Sequence, residues 1–250
     1  MSDKIEVYYF SPTGGTKKVS GIFVDAMEKE VIWHDLGSKK PMMEKPEGEM
    51  IVIATPVFGG RIPSVVREKI EKLSGTGKKA VTIAVYGNRA YEDALLEMND
   101  ILMKCGFTVI ASGAFVAQHS MAPEVGAGRP DGEDEKEIHK FAESVKNSTA
   151  TENVHVPGNR PYKPELNMPV TPISLSSCTK CGKCVTICPT NAISVADGAV
   201  ITDTEKCILC MACTHVCTEQ ARIRPLPLQQ KTEQMLGALK GVRNKNEMFL

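Results

Sequence analysis

At 250 residues the chain has room for one or two domains with full hydrophobic cores, and it needs no disulfide staples. Thirty basic and thirty acidic side chains cancel to zero net charge, which argues against a general nucleic-acid binder. No apolar run approaches the ~18 residues of a membrane span, and the opening MSDKIEVYYF lacks a signal-peptide pattern, so a soluble, cytoplasmic protein is expected.

The first half alternates strand and helix signals. IEVYYF (5–10) reads as a strand ending in the Gly-rich SPTGGT, and KKVSGIFVDAMEK after it repeats apolar residues at helical spacing. EVIWHDL is a second strand, and MIVIATPVF (50–58) is a third, almost unbroken in its apolar run, followed by helical IPSVVREKIEKL. AVTIAVY (80–86) precedes the helix YEDALLEMNDILMKC, and FTVIASGAFVA (107–117) precedes the helix EDEKEIHKFAESVKN. Five such units over 1–148 predict an α/β domain, a doubly wound five-stranded parallel sheet covered on both faces. Five of the fifteen prolines then fall within 151–175, so 149–173 reads as an extended connector. A small cysteine-rich unit occupies 174–226, and 227–250 carries an amphipathic helix and tail, read as a packing element.

Eight of the nine cysteines lie between Cys178 and Cys217, and the ninth, Cys105, reads as a core residue. In a reducing cytosol such a cluster points to metal or redox chemistry rather than disulfides. Cys178, Cys181, Cys184 and Cys188 have the spacing C-x2-C-x2-C-x3-C, and Cys207, Cys210, Cys213 and Cys217 repeat it at an offset of 29. Three thiolates at this spacing wrap one corner of a cuboidal iron–sulfur cluster, while the fourth ligates the other cluster. The spacing therefore assigns Cys178, Cys181, Cys184 and Cys217 to one 4Fe–4S cluster, and Cys207, Cys210, Cys213 and Cys188 to a second. Structural zinc uses paired C-x2-C motifs and does not call for this tripled, doubled pattern. Residues 174–224 resemble bacterial-type two-cluster ferredoxins, departing at Thr218, where that family usually has proline.

Three loops follow predicted strands: SPTGGT (11–16), TPVFGG (55–60) and YGNR (86–89). In open α/β sheets ligands bind outside the carboxyl ends of strands, at the switch point, which lies between strands one and three for the order 2-1-3-4-5. The first loop is a phosphate cradle at a helix N-terminus, without the lysine of a Walker A and without a G-x-G-x-x-G fingerprint. S-x-T-G-x-T is similar to the FMN phosphate loop of flavodoxins, and residues 1–148 resemble that fold throughout. The resemblance implies that Ser11, Thr13, Gly14, Gly15 and Thr16 hold the phosphate. Pro56, Val57, Phe58, Gly59 and Gly60 would flank the flavin ring on one side, and Tyr86, Gly87, Asn88 and Tyr91 on the other.

The chain departs from carrier flavodoxins, which hold the flavin among acidic residues and often two large aromatics. Arg61 and Arg89 sit at two of the loops, and if they face the flavin they favour its anionic reduced form or attract an anionic ligand. Trp33 stands too far back to stack. The loop 118–134 is long enough to act as a cover and carries His119; Gly126 and Gly128 within it read as turn residues. No catalytic residue is assigned, and Arg61, Arg89 and His119 are the candidates. The whole chain resembles the flavodoxin–ferredoxin fusion proteins found mostly in anaerobes. That resemblance implies electron transfer between two 4Fe–4S clusters and FMN, with a ferredoxin or reductase feeding one end. A small-molecule or quinone-like acceptor at the flavin is expected; a pure carrier and a redox sensor are the alternatives. Neither a nucleic-acid partner nor a membrane span is expected.

Overall fold

The alternating signals become β1 (Lys4–Tyr9), α1 (Gly15–Met27), β2 (Glu30–Asp35), β3 (Met50–Pro56), α2 (Ser64–Ile70), β4 (Lys79–Tyr86), α3 (Ala94–Lys104), β5 (Thr108–Val116) and α4 (Gly132–Lys146). The structure, a computed structural model, describes residues 4–166 and 168–250; the first three residues of MSDKIEVYYF and Asn167 of the connector lie outside the described residues. These five strands are parallel and run in the order 2-1-3-4-5. β3 is buried at six of its seven positions, which requires cover on both faces. α1 and α4 supply it on one face, where Phe23, Phe115 and Phe141 meet. α2 and α3 supply it on the other, over Tyr8, Ile51 and Ile53. Each such side chain contributes about 1.5–3 kcal/mol by leaving water, so this two-faced core dominates the stability of the unit.

α3 is buried all the way round from Ala94 to Leu102, including Glu97, Asn99 and Asp100. Its outer face is covered by the proline-rich connector, which is strapped to it. Asp93 accepts from the backbone N–H of Asn159 at 2.8 Å and of Lys163 at 2.7 Å. Asp100 accepts from Arg160 Nε at 2.9 Å and from the Tyr162 hydroxyl at 2.5 Å. Cys105 is half-buried against the same core, as read.

The second unit is built from β6 (Ile173–Ser174), α5 (Lys183–Ile187), β7 (Ile193–Ala196), β8 (Ala199–Thr202), α6 (Ala212–His215) and β9 (Arg222–Ile223). β6 pairs with β9 and β7 with β8, both antiparallel, so the two sequence repeats are interleaved. α7 (Leu226–Leu236) then packs Leu236 on Ala122 and Val125 of the loop after β5.

The tail differs from expectation. Glu247–Phe249 form β10, which adds antiparallel to β5 and makes a sixth strand. Three residues are too few to carry a periodicity, so the sequence read only a tail there. The gain is a covered sheet edge on that side. Among the described residues no helix is long and apolar enough to cross a membrane.

Candidate functional site

The loop between β1 and α1 is shaped by Gly14, whose φ of 91° is left-handed and favours glycine. Ser11 Oγ accepts from Lys17 N–H at 2.9 Å, closing the turn. The N–H groups of Gly15 and Thr16 have no partner among the described residues, and neither do the Thr13 and Thr16 hydroxyls. Thr16 is only 3% exposed. Unpartnered hydroxyls and backbone donors at the N-terminus of a 13-residue helix fit a phosphate group.

The loop after β3 turns back at once: Phe58 N–H donates to Arg61 O at 2.9 Å, and Arg61 N–H to Phe58 O at 3.2 Å. Gly59 and Gly60 have φ of 62° and 93°, the two successive left-handed residues of a type I′ turn. Glu92 lies against Gly60 and Leu166 of the connector against Gly59, so a side chain at either position would collide.

The loop after β4 is held by the tail. Asn88 is fully buried with φ 58°, donates Nδ2–H to Val242 O at 2.7 Å, and accepts from Asn244 N–H at 3.0 Å. The Tyr86 hydroxyl donates to Lys245 O at 2.5 Å and that of Tyr91 to Glu247 at 2.6 Å. Burial pushes the Tyr86 phenol up to about 12. The polar ends of Tyr86, Asn88 and Tyr91 are thus engaged by residues 242–247, which the sequence could not reveal. A cleft of about 440 Å³ lies beside this loop, lined among others by Arg89, Tyr91, Glu92, Asn159, Asn244 and Glu247.

The candidate charges are corrected by their partners. Arg61 is not a free cation. It grips the buried Glu97 with Nε at 2.8 Å and Nη2 at 2.6 Å, donates to Lys163 O and lies over the Tyr162 ring. Arg89 pairs with Glu92, which also binds Lys163. His119 lies against Gly87, and its Nδ1 accepts from Met121 N–H at 3.1 Å. Burial, with Arg89 and Arg224 nearby, lowers it to about 4, so the ring is neutral and carries its proton on Nε2. The loop around it is not an open cover, because α7 packs over Val125. Trp33 lies on the edge strand β2, edge-on to Tyr9 at 5.4 Å.

In the second unit Cys178, Cys181, Cys184 and Cys217 line one cavity. Cys188, Cys207, Cys210 and Cys213 form the other group: burial, with the other three thiols adding, pushes Cys210 up to about 12. The left-handed residues repeat with the cysteines: Lys180 and Leu209, Gly182 and Met211, Asn191 and Gln220 are each 29 apart. In the second motif the backbone N–H of Ala212, just after the left-handed Met211, faces the Cys210 sulfur, and that of Leu209 faces Cys207. The Thr218 departure leaves the turn intact, since Gln220 N–H donates to Cys217 O as Asn191 N–H does to Cys188 O.

The repeat is asymmetric in its surroundings. Thr179, Lys180, Cys181 and Lys183 are exposed, whereas Met211 and Ala212 are buried. Ile208 and Cys210 pack with Val57 and Phe58 against the core that contains Phe10, Tyr86 and Tyr91.

The 4Fe-4S binding domain family matches residues 171–194 and, in a second form, 204–220. A 58-residue stretch is 45% identical to the aliphatic sulfonate oxidoreductase, polyferredoxin-like subunit, of Pyrococcus furiosus, covering 22% of this chain and 30% of that protein. The chain therefore spans under a third of that relative. A 67-residue stretch is 36% identical to an uncharacterized ferredoxin-like protein of Haemophilus influenzae, covering 24% of this chain and 78% of that protein. Among solved structures, flavodoxin 1 of Bacillus cereus aligns at 17% identity and TM-score 0.45, over 58% of this chain and 99% of that one. The Fusobacterium nucleatum flavodoxin bound to flavin mononucleotide aligns at 14% and 0.45, over 57% and 96%. The strand order, rather than these distant likenesses, defines the first unit as flavodoxin-like.

Proposed function

We propose that this chain, which belongs to the ferredoxin-like proteins through its C-terminal cysteine motifs and joins them to a flavodoxin-like domain, passes electrons between two 4Fe–4S clusters and an FMN. In this reading a small-molecule or quinone-like acceptor is reduced at the flavin. Cys178, Cys181, Cys184 and Cys217 would hold one cluster, and Cys207, Cys210, Cys213 and Cys188 the other. Ser11, Thr13, Gly14, Gly15 and Thr16 would hold the FMN phosphate, with the 56–60 and 86–91 loops beside the ring. The clusters would supply single electrons and the flavin a site that takes one or two.

The observation that carries the reading is the packing of Ile208 and Cys210 against the core of the flavodoxin-like domain. It supports an inner cluster in the second motif and an outer one in the first, where Cys181 is exposed between Lys180 and Lys183. An external ferredoxin or reductase would deliver electrons there. The cover over the flavin loops favours a small acceptor over a second protein. Leu166 lies on Gly59, residues 242–247 hold the next loop, and the neighbouring cleft is about 440 Å³.

The test is protein purified without oxygen and mixed rapidly with a reduced one-electron donor. About eight irons and one acid-released FMN per chain are expected. Thr16→Ala should weaken FMN binding about tenfold or more, one charge-assisted hydrogen bond being worth ~1.5–3 kcal/mol. Flavin reduced equally fast in Cys210→Ser would sink the relay. A flavin that exchanges electrons only with proteins, and with no quinone tried, would favour the carrier.

A further inference from the structure

Arg222 opens β9 and is 4% exposed. Its side chain lines the cavity shared by Cys178, Cys181, Cys184 and Cys217. Nη1 donates to Ser174 Oγ at 3.1 Å and Nη2 to the Thr202 hydroxyl, while Nε is buried with no partner. Among the described residues no carboxylate pairs with it; the hydroxyls that hold it are neutral. A buried guanidinium cannot shed its proton, and without a counter-ion it is heavily penalised. The cavity wall is where an anion would remove that penalty.

The repeat makes the placement more pointed. Arg222 stands five residues after Cys217, and its counterpart 29 residues earlier is Ile193, five after Cys188 and 5% exposed. One half of the unit therefore buries an alkyl chain where the other buries a charge. The remaining charged residues around this cavity, Lys180, Lys183 and Glu219, are exposed and act through screening water.

Resting on the two-cluster reading above, we infer that Arg222 is the built-in counter-ion of the cluster held by Cys178, Cys181, Cys184 and Cys217, and that it raises the reduction potential of that cluster more than that of the other. Four thiolates leave a cluster anionic, and reduction adds a further negative charge. A buried cation beside the cavity favours the more negative state. The second motif has Ile193 at the matching position; the charge of Arg222 is felt at Cys207 of that group as well as at Cys184, so the split rests on Arg222 lining the first cavity.

The test is a potentiometric titration of the anaerobic holoprotein, followed by electron paramagnetic resonance so that both clusters are read in one sample. In Arg222→Ile one cluster should show a tenfold or larger drop in its reduced-to-oxidised ratio at fixed potential, about 59 mV or more for a one-electron couple, with the other moving clearly less. The sensitivity should persist in Cys210→Ser and vanish in Cys181→Ser. Two potentials moving equally, or neither moving at unchanged iron content, would overturn the inference. If Arg222→Ile loses iron, Arg222→Lys decides. Two clusters retained with a potential close to the native one support the counter-ion role; a lysine variant as iron-poor as the isoleucine variant refutes it. Native protein that holds no cluster at all would instead overturn the reading on which the inference rests.

Discussion

Replacing Arg61 by alanine separates a structural arginine from one that acts on a flavin. Glu97 is 1% exposed and accepts from Arg61 Nε and Nη2, from Arg67 Nη1 at 3.2 Å and from Ile62 N–H at 3.1 Å. Removing one partner of a buried pair costs about 3–5 kcal/mol, because the remaining charge is left in a poorly solvating site. Arg67 still faces Glu97 and softens the loss towards the lower end, so about 3 kcal/mol is expected for Arg61→Ala. For a chain of this size that is a fall in Tm of roughly 6–12 °C. Circular dichroism melts of the anaerobic protein would show it, with and without flavin. The double variant Arg61→Ala with Glu97→Ala should cost clearly less than the two single changes added together, since it leaves no orphaned carboxylate. A fall under about 2 °C, or one seen only when flavin is bound, would refute the assignment of this arginine to Glu97.

Asn88→Gly keeps the left-handed backbone but deletes the anchors to Val242 and Asn244, so proteolysis should cut between Lys240 and Lys245 several-fold faster while the rest of the chain resists; unchanged cleavage would mean the tail is fastened elsewhere. His119 is lowered from 6.5 to about 4, so its contribution is complete above pH 6.5 and lost as pH falls towards 4. At pH 5.5 that amounts to roughly 1 kcal/mol relative to neutral pH, and His119→Phe should abolish that share of the acid sensitivity in a melt. Stripping iron with a chelator should unfold residues 174–226 but spare the first unit, because the small core there has four buried residues, of which two are Cys188 and Cys213. Equal protease resistance before and after chelation would contradict this.

The parallel sheet was legible because β3, β4 and β5 are apolar at almost every position and each ends in a glycine-bearing loop, so strand signal and loop signal agree. The 29-residue offset of the two cysteine motifs was legible, and the backbone repeats it, with left-handed residues at the same interval. Sequence also held an unread signal. The residues between the cysteines are Thr-Lys and Gly-Lys in the first motif but Ile-Leu and Met-Ala in the second, and the apolar filling marks the face that packs on the first unit. The partners of Arg61, Asn88 and Arg222 were illegible for a physical reason. Glu97 lies 36 residues from Arg61, and Asn244 lies 156 from Asn88, and hydrogen bonds over such separations leave no local periodicity.

The ferredoxin-like unit is fastened at both of its ends to the same stretch of the first domain. Upstream, Lys163 and Asn159 bind Glu92 and Asp93; downstream, residues 242–247 bind Tyr86, Asn88 and Tyr91. A flexible tether would raise the local concentration of one unit near the other, but it would leave their separation free to vary. Two anchors on one loop do more, since they fix where Ile208 and Cys210 meet the core and hold the loop itself in place. The position of the second unit and the shape of the loop after β4 are therefore one mechanical property. A change that loosens the tail should disturb both together, whereas Arg222, between the two anchors in sequence, bonds to Ser174 and Thr202 and to neither anchor.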